Sequence, residues 1–319
     1  MLKLRLAAVA ALLLPMLAFA QDAAYPNRYI KVIVPFPAGS FTDVVARALT
    51  ERVSKSLGQP LVVDNRVGVN GVLGAKAVVA AAPDGYTLLI NSNSHAANAS
   101  LYKVPPYDPV KDFTPIARIV RIPFVLMVRP GLEVNSVGDI VALARAKPGV
   151  LTFGAGNTSS RAGPELLRMV GGIDIRHVPY RGMPQAITDL MGGTIDIVMT
   201  DTSFILGQGD SKKLRAIAVT TSERMKQLPD IPTFAESGLP GFELEGFVGV
   251  FGPAGLPAPV VSKLNAAFVQ AANDPDVRTL MERLGTVPAP SSAADFGRFV
   301  DGETIKWAKI HDAAGIEKQ

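Results

Sequence analysis

Short apolar runs alternate with stretches of helical periodicity along this chain, and the alternation happens twice. The spacing predicts a strand over Tyr29–Pro35 and a helix over Asp43–Leu57, with apolar residues at Val44, Val45, Ala48, Leu49 and Val53. A short strand at Leu61–Asp64 follows, then a small-residue helix over Asn70–Ala82, stopped by Pro83-Asp-Gly85, and a strand at Thr87–Asn91. A Pro-rich loop (Val104–Pro109) precedes Ile122–Arg129, which reads as a strand leading out of this half. The second half begins with a helix over Ser136–Lys147, capped by Ser136 with Asp139 three positions on. Strands at Leu151–Ala155, Ile173–Tyr180, Ile195–Thr200 and Leu214–Thr220 frame a helix ending near Val170 and another at Pro184–Met191. Gly238–Gly241 and Phe251–Pro259 read as Pro/Gly-rich connections, and helices near Val260–Ala272, Pro275–Leu284 and Ala293–Ala313 close the chain. Such alternation predicts an α/β fold of parallel sheets covered by helices, in two lobes with a ligand cleft between them. The expected limits are residues 21–128 for the first part of lobe 1, 129–243 for lobe 2 and 244–319 for a return to lobe 1.

Residues 1–20 read as a signal peptide: Lys3 and Arg5 are basic, Leu6–Leu17 is apolar, and Ala18-Phe-Ala20 is a small-x-small cleavage site. Pro15 interrupts the apolar run, which is shorter than the roughly 20 residues a spanning helix needs; an uncleaved anchor is the other reading. The body is therefore expected in the periplasm. Removing Lys3 and Arg5 from the 32 Lys and Arg leaves 30 basic side chains against 28 acidic, too balanced for a nucleic-acid binder. With no Cys there is no thiol nucleophile or Cys-ligated metal, and His95, His177 and His311 are too widely spaced to suggest a metal site. Nothing calls for a cofactor.

Two loops have the layout of an anion cradle. Val34-Pro-Phe-Pro-Ala-Gly-Ser-Phe-Thr-Asp43 leaves a strand and enters a helix, where free main-chain N–H groups and the helix dipole favour a negative charge. An ordinary capped turn has the same layout. Phe153-Gly-Ala-Gly-Asn-Thr-Ser-Ser-Arg161 repeats it, with hydroxyls at Thr158, Ser159 and Ser160. Arg161 offers a bidentate fork for a carboxylate, or is a surface arginine on the helix's first turn. A third polar loop, Asn91-Ser-Asn-Ser-His95, supplies Asn93 and Ser94. Asp201 follows a strand, where it accepts from a ligand amine or hydroxyl, or caps the next helix. There is no Gly-x-Ser-x-Gly elbow. Ser159, His177 and Asp201 form a triad only on paper. His177 reads as a structural histidine, and His311 as solvated.

The same residues carry a resemblance. Pro35-Phe-Pro-Ala-Gly39 with Asp43 and Ala46-Arg47, Asp64-Asn-Arg66, Gly71, Gly74, Pro83-Asp-Gly-Tyr86, Asn98, Leu101-Tyr102, Pro106-Tyr-Asp-Pro109 and Asp112-Phe-Thr-Pro115 come in order. Val178-Pro-Tyr-Arg-Gly182, Asp196, Pro229-Asp-Ile-Pro-Thr233 and Pro240-Gly-Phe242 continue it. From about Tyr25 onward the chain resembles the periplasmic solute-binding receptors of tripartite tricarboxylate transporters, the Bug family. The resemblance implies a Venus-flytrap fold without catalytic activity. Such a receptor closes on a small organic acid and delivers it to membrane permease subunits. By position it implicates Phe36, Ala38, Gly39, Ser40 and Asp43 in lobe 1, and Asn157, Thr158, Ser160 and Asp201 in lobe 2.

Three positions depart from the family's habit: Ser40 stands where a second Gly is common, Arg161 where His or an apolar residue is common, and Phe247 where many relatives have Trp. Arg161 and Phe247 together predict a planar or aromatic carboxylate, and a dicarboxylate is the other favoured class. A monomer is expected. An exported Ser/His hydrolase and a receptor presenting its ligand to a sensor kinase are the alternatives.

Overall fold

The computed structural model describes residues 25–156, 158–207, 214–240, 242, 244–313 and 315–318; the expected signal peptide lies outside them. Lobe 1 starts with β1 (Ile30–Val34), α1 (Phe41–Leu57), β2 (Leu61–Asn65), a 3-10 turn at Val69–Gly71, α2 (Val72–Val79), β3 (Thr87–Ser92) and α3 (Ser94–Leu101). β1 lies parallel between β2 and β3. Ile30, Val32, Ile33 and Val34 are all buried, as expected for a strand with helices on both faces. Ser40 caps α1, and Gly58 ends it in the left-handed region (φ 67°) that glycine adopts without strain. The polar loop expected over residues 91–95 is the end of β3 (Asn91, Ser92), the N-cap Asn93 and the first two residues of α3.

β4 (Phe113–Val128) is a single 16-residue strand running from lobe 1 into lobe 2. Lobe 2 comprises α4 (Val137–Ala146), β5 (Thr152–Ala155), α5 (Thr158–Gly171), β6 (Arg176–Pro179), α6 (Met183–Met191), β7 (Ile197–Asp201), α7 (Thr202–Gly207) and β8 (Arg215–Val219). The Ser136 capping box at the start of α4 forms as the sequence predicts. The chain returns through β9 (Glu245–Pro253), α8 (Ala258–Ala272), α9 (Pro275–Arg283), β10 (Val287–Pro288) and α10 (Ala293–Ala313). β9 occupies part of what reads as a connection, because Glu245–Pro253 is rich in glycine. Those glycines answer to packing: a Cβ on Gly249 would overlap the Phe296 ring.

The strand order is β2-β1-β3-β9-β4-β7-β5-β6, with β10 and β8 also pairing to β4. Parallel pairing holds within each lobe, among β1–β3 and among β5–β7. It gives way at the seam, where β3·β9, β9·β4, β4·β7 and β4·β8 are antiparallel. The chain enters lobe 2 on one strand and leaves toward another, so its crossing strands run in opposite directions. β4 changes partners within one residue step: Phe113–Pro123 pair with β9, and Phe124–Val128 pair with β7. Pro123 has no N–H to give to a ladder, which suits that handover.

α8 joins α1 over the lobe 1 core, where Leu264 and Phe268 pack with Val45 and Leu49. α10 does more than return to lobe 1. Its Phe296 and Val300 pack with Phe247 and Phe251 in lobe 1, whereas its Trp307 and Ile310 join Phe153 and Leu167 in the lobe 2 core. His311, expected in solvent, is 1% exposed, with Nδ1 2.6 Å from Ser100 Oγ. Burial pushes its pKa down to about 4.

Candidate functional site

A hollow of about 240 Å³ lies between the lobes, at the carboxyl ends of their parallel strands. Lobe 1 contributes Phe41 from the start of α1, Asn93 before α3, Gly246 from β9, and Leu284 after α9. Lobe 2 contributes Ser160 from α5, Thr200 and Asp201 from β7, and Ser203 from α7, while Ile122 and Phe124 form the crossing floor. No Lys or Arg is among these lining residues, and Asp201 is the one charged group among them.

The β1–α1 loop is held by a buried carboxylate. Asp43 is 2% exposed and accepts from Gly39 N–H (2.9 Å), Arg47 Nε (2.9 Å) and Asn65 Nδ2 (2.8 Å). Asn65 Nδ2 also donates to the Phe36 carbonyl (3.0 Å). Burial alone would raise the Asp43 carboxyl, but the bonds from Arg47, Asn65 and Gly39 outweigh it and hold it below the usual carboxylate range. The Gly39 N–H is thereby used, and the Ser40 N–H donates to the Pro37 carbonyl at 3.1 Å. The next two main-chain donors, Phe41 and Thr42 N–H, have no acceptor among the described residues. Phe36 packs against the lobe 1 core, Ala38 and Gly39 are exposed at the loop tip, and Ser40 accepts from Asp43 N–H as the cap. These residues build and brace the cradle, and Phe41, which residue type alone does not single out, faces the hollow.

In lobe 2, Ser160 is 2% exposed and its Oγ accepts from Gly156 N–H at 3.2 Å. A Cβ on Gly156 would overlap the backbone of Gly182, so glycine lets the loops after β5 and β6 approach each other. Thr158 opens α5, and Asn157 lies outside the described residues. Asp201 accepts from Ser203 Oγ and, at 3.4 Å, from Thr200 Oγ1 while its residue lines the hollow. In the third loop Asn93 lines the hollow, whereas Ser94 Oγ donates to Asn91 Oδ1 (3.2 Å).

Arg161 and Phe247 are not among the residues that line the hollow. Arg161 is one helical step, about 100°, from Ser160. Its Nε faces Glu165 Oε1 at 3.4 Å, and that nearly buried carboxylate also holds Arg168 Nη1 at 2.6 Å. Phe247 is fully buried in lobe 1, edge-on to Phe296 and Phe299. Side chains alternate along a strand, so the residue of β9 that faces the hollow is its neighbour Gly246, paired with Ile122. The Phe247 ring is therefore sealed from the cleft.

His95 is sealed in an aromatic cluster behind the cleft. Its ring stacks on Phe251 (4.0 Å between centroids), its Nε2 donates to the Pro109 carbonyl (2.9 Å), and burial lowers its pKa to about 4. His177 stacks on Phe153 in lobe 2, and burial and the nearby Arg161 lower its pKa.

The family model described as tripartite tricarboxylate transporter family receptor matches residues 45–316. Protein BugT of Bordetella pertussis is 34% identical, over 92% of this chain and 91% of its own length. Among solved structures, Rpa4515 of R. palustris with adipate is 32% identical with a TM-score of 0.75, covering 92% of this chain and all of that one (100%). MatC from Rhodopseudomonas palustris with bound malate is also 32% identical, with a TM-score of 0.71, covering 90% of this chain and 99% of that one. A TctC solute-binding protein from Polaromonas is 26% identical with a TM-score of 0.80, over 90% of this chain and 99% of that one. Fold and sequence agree with these relatives over nine-tenths of the chain: the protein belongs to the tripartite tricarboxylate transporter receptor family, the TctC/Bug group of periplasmic solute-binding proteins.

Proposed function

We propose that this receptor closes on a small aliphatic carboxylate, with C4–C6 dicarboxylates as the favoured class, and delivers it as a monomer to the membrane subunits of its transporter. The observation that carries this reading is the pair of helix starts, α1 and α5, meeting at one hollow lined by Phe41 and Ser160, with the Phe41 and Thr42 N–H groups at the start of α1 left without an acceptor and no cationic side chain among the described lining residues. A carboxylate there is stabilised by fixed N–H dipoles and hydroxyls, without a counter-charge that would need desolvating. Phe41, Ile122, Phe124 and Leu284 suit a short methylene chain. Asp201 suits a ligand hydroxyl or amine and disfavours a second carboxylate directly beside it. The hollow is below the roughly 300–1,000 Å³ of sites for drug-sized ligands, which fits a small metabolite. The adipate and malate bound by the two R. palustris relatives support the class. An aromatic carboxylate loses its support with Arg161 and Phe247 turned elsewhere. Residues 1–20 direct export in this reading, with Gln21 as the new N-terminus.

A thermal-shift screen across aliphatic and aromatic carboxylates tests it. A cognate dicarboxylate at 100 times its Kd raises Tm by about 5–10 °C, binds one to one and is recovered unchanged. A panel in which no acid shifts Tm, or in which a bound acid is consumed, would overturn the proposal.

A further inference from the structure

A second, larger hollow of about 630 Å³ opens beside the seam. Along β4, pairing with β10 ends at Arg121 and pairing with β8 begins at Val125, and the hollow sits by this gap. One wall is α9 and β10 of lobe 1, and the other is residues 221–227 of lobe 2. Arg121, Arg224, Lys226, Arg278 and Arg283 line it, against Glu223 and Glu282. That excess of cations stands out in a chain whose charges otherwise nearly balance. Arg121 and Arg224 have acidic partners in Glu245 (3.3 Å) and Glu236 (3.0 Å). Lys226 and Arg283 have no acidic partner among the described residues. On the same wall Thr221 is 7% exposed, and its hydroxyl is buried without a hydrogen-bond partner among the described residues.

We propose that this groove is a second binding site, for a small multivalent oxyanion of the polyphosphate or polycarboxylate type. Lys226 and Arg283 supply the uncommitted charge. An acidic peptide would meet the same charge. The concave shape and a volume inside the small-molecule range favour the compact anion. Because the walls belong to different lobes, occupancy depends on the angle between them and is linked reciprocally to closure of the cleft. The site does not depend on the ligand proposed for the cleft.

Isothermal titration of the purified protein with inorganic pyrophosphate and with citrate, at constant ionic strength, tests the proposal and separates the two anion classes. One-to-one binding of at least one anion is expected. Lys226→Ala with Arg283→Ala weakens it about tenfold or more, Glu223→Gln with Glu282→Gln tightens it, and Ser160→Ala in the cleft leaves it unchanged. These groove side chains are exposed, so circular dichroism melting should confirm that all variants fold. The proposal is overturned if neither anion binds, even should poly-glutamate bind instead, or if binding ignores the groove pair and falls with Ser160→Ala.

Discussion

The two hollows between the lobes are built from different chemistry. The cleft has hydroxyls, an amide side chain, open main-chain N–H groups and one carboxylate, whereas the groove beside it has five cationic side chains. Both lie along β4, where Ile122 and Phe124 face the cleft and Arg121 the groove. The difference shows two ways for a protein to receive an anion. Helix starts hold it by rigid dipoles whose geometry is set by the fold, so a small displacement of the loop matters more than any single side chain. A cationic groove works by net charge on flexible stems, tolerates displacement, and is screened by salt.

The largest test of that contrast is Gly156→Val. The added side chain meets the Gly182 backbone and must push the β5–α5 loop off its neighbour, carrying Ser160 with it. Titration with a cognate carboxylate should show affinity falling about 100-fold or more, with roughly 1–3 kcal/mol of overpacking; groove binding should stay within twofold. Equal losses at both sites, with the groove titrated in the absence of a cleft ligand, would show that the damage is not confined to the β5–α5 loop.

An effect of comparable size, on stability rather than affinity, comes from acid. Folded His95 has its pKa lowered from 6.5 to about 4, so the unfolded chain binds the proton first. The stability from burying the neutral ring is complete above pH 6.5 and is lost as pH falls toward 4, by about 3 kcal/mol in all. His95 is the second residue of α3, two positions after the Asn93 that lines the cleft, so acid undermines the cleft's wall. Urea unfolding between pH 7 and 4 should show this slope added to that of His311, whose pKa is lowered to about 4 as well, and His95→Gln should make it shallower. An unchanged slope in the variant would locate the effect elsewhere.

The smallest effect expected is for Arg161→Ala, which should leave carboxylate affinity in the cleft within about twofold, because the guanidinium already faces Glu165. A tenfold loss would return a charged fork to the site and erase the contrast with the groove.

Much of this was legible in the sequence, and the gaps have physical causes. Runs such as Ile30–Val34 and Ile197–Asp201 declare buried strands because helices cover both faces, and the Ser136–Asp139 box fixes a helix start by local chemistry. β9 is poorly legible because its glycines make room for neighbours such as Phe296, a requirement set by distant residues. Of the residues that line the hollow, Asn93, Ser160 and Asp201 are legible from the sequence, whereas Phe41, Ile122, Phe124, Gly246 and Leu284 are not. Composition picks out Arg161 and Phe247 as chemically potent, while helix phase and strand parity give the cleft to Ser160 and Gly246 instead. Once Ile122 was placed on the cleft side, register alone would have nominated its partner Gly246.

β3 and β4 meet only through β9, and β9 is translated after all of lobe 2. Until it emerges, β3 presents an open edge next to an unfinished hydrophobic layer, the arrangement that invites pairing with another chain. A nascent chain that has not reached Glu245 therefore has a second lobe still lacking Trp307 and Ile310 of α10, attached to an unsealed first one. Its safe passage depends on remaining unfolded or chaperoned until the last quarter of the polypeptide arrives to close the sheet.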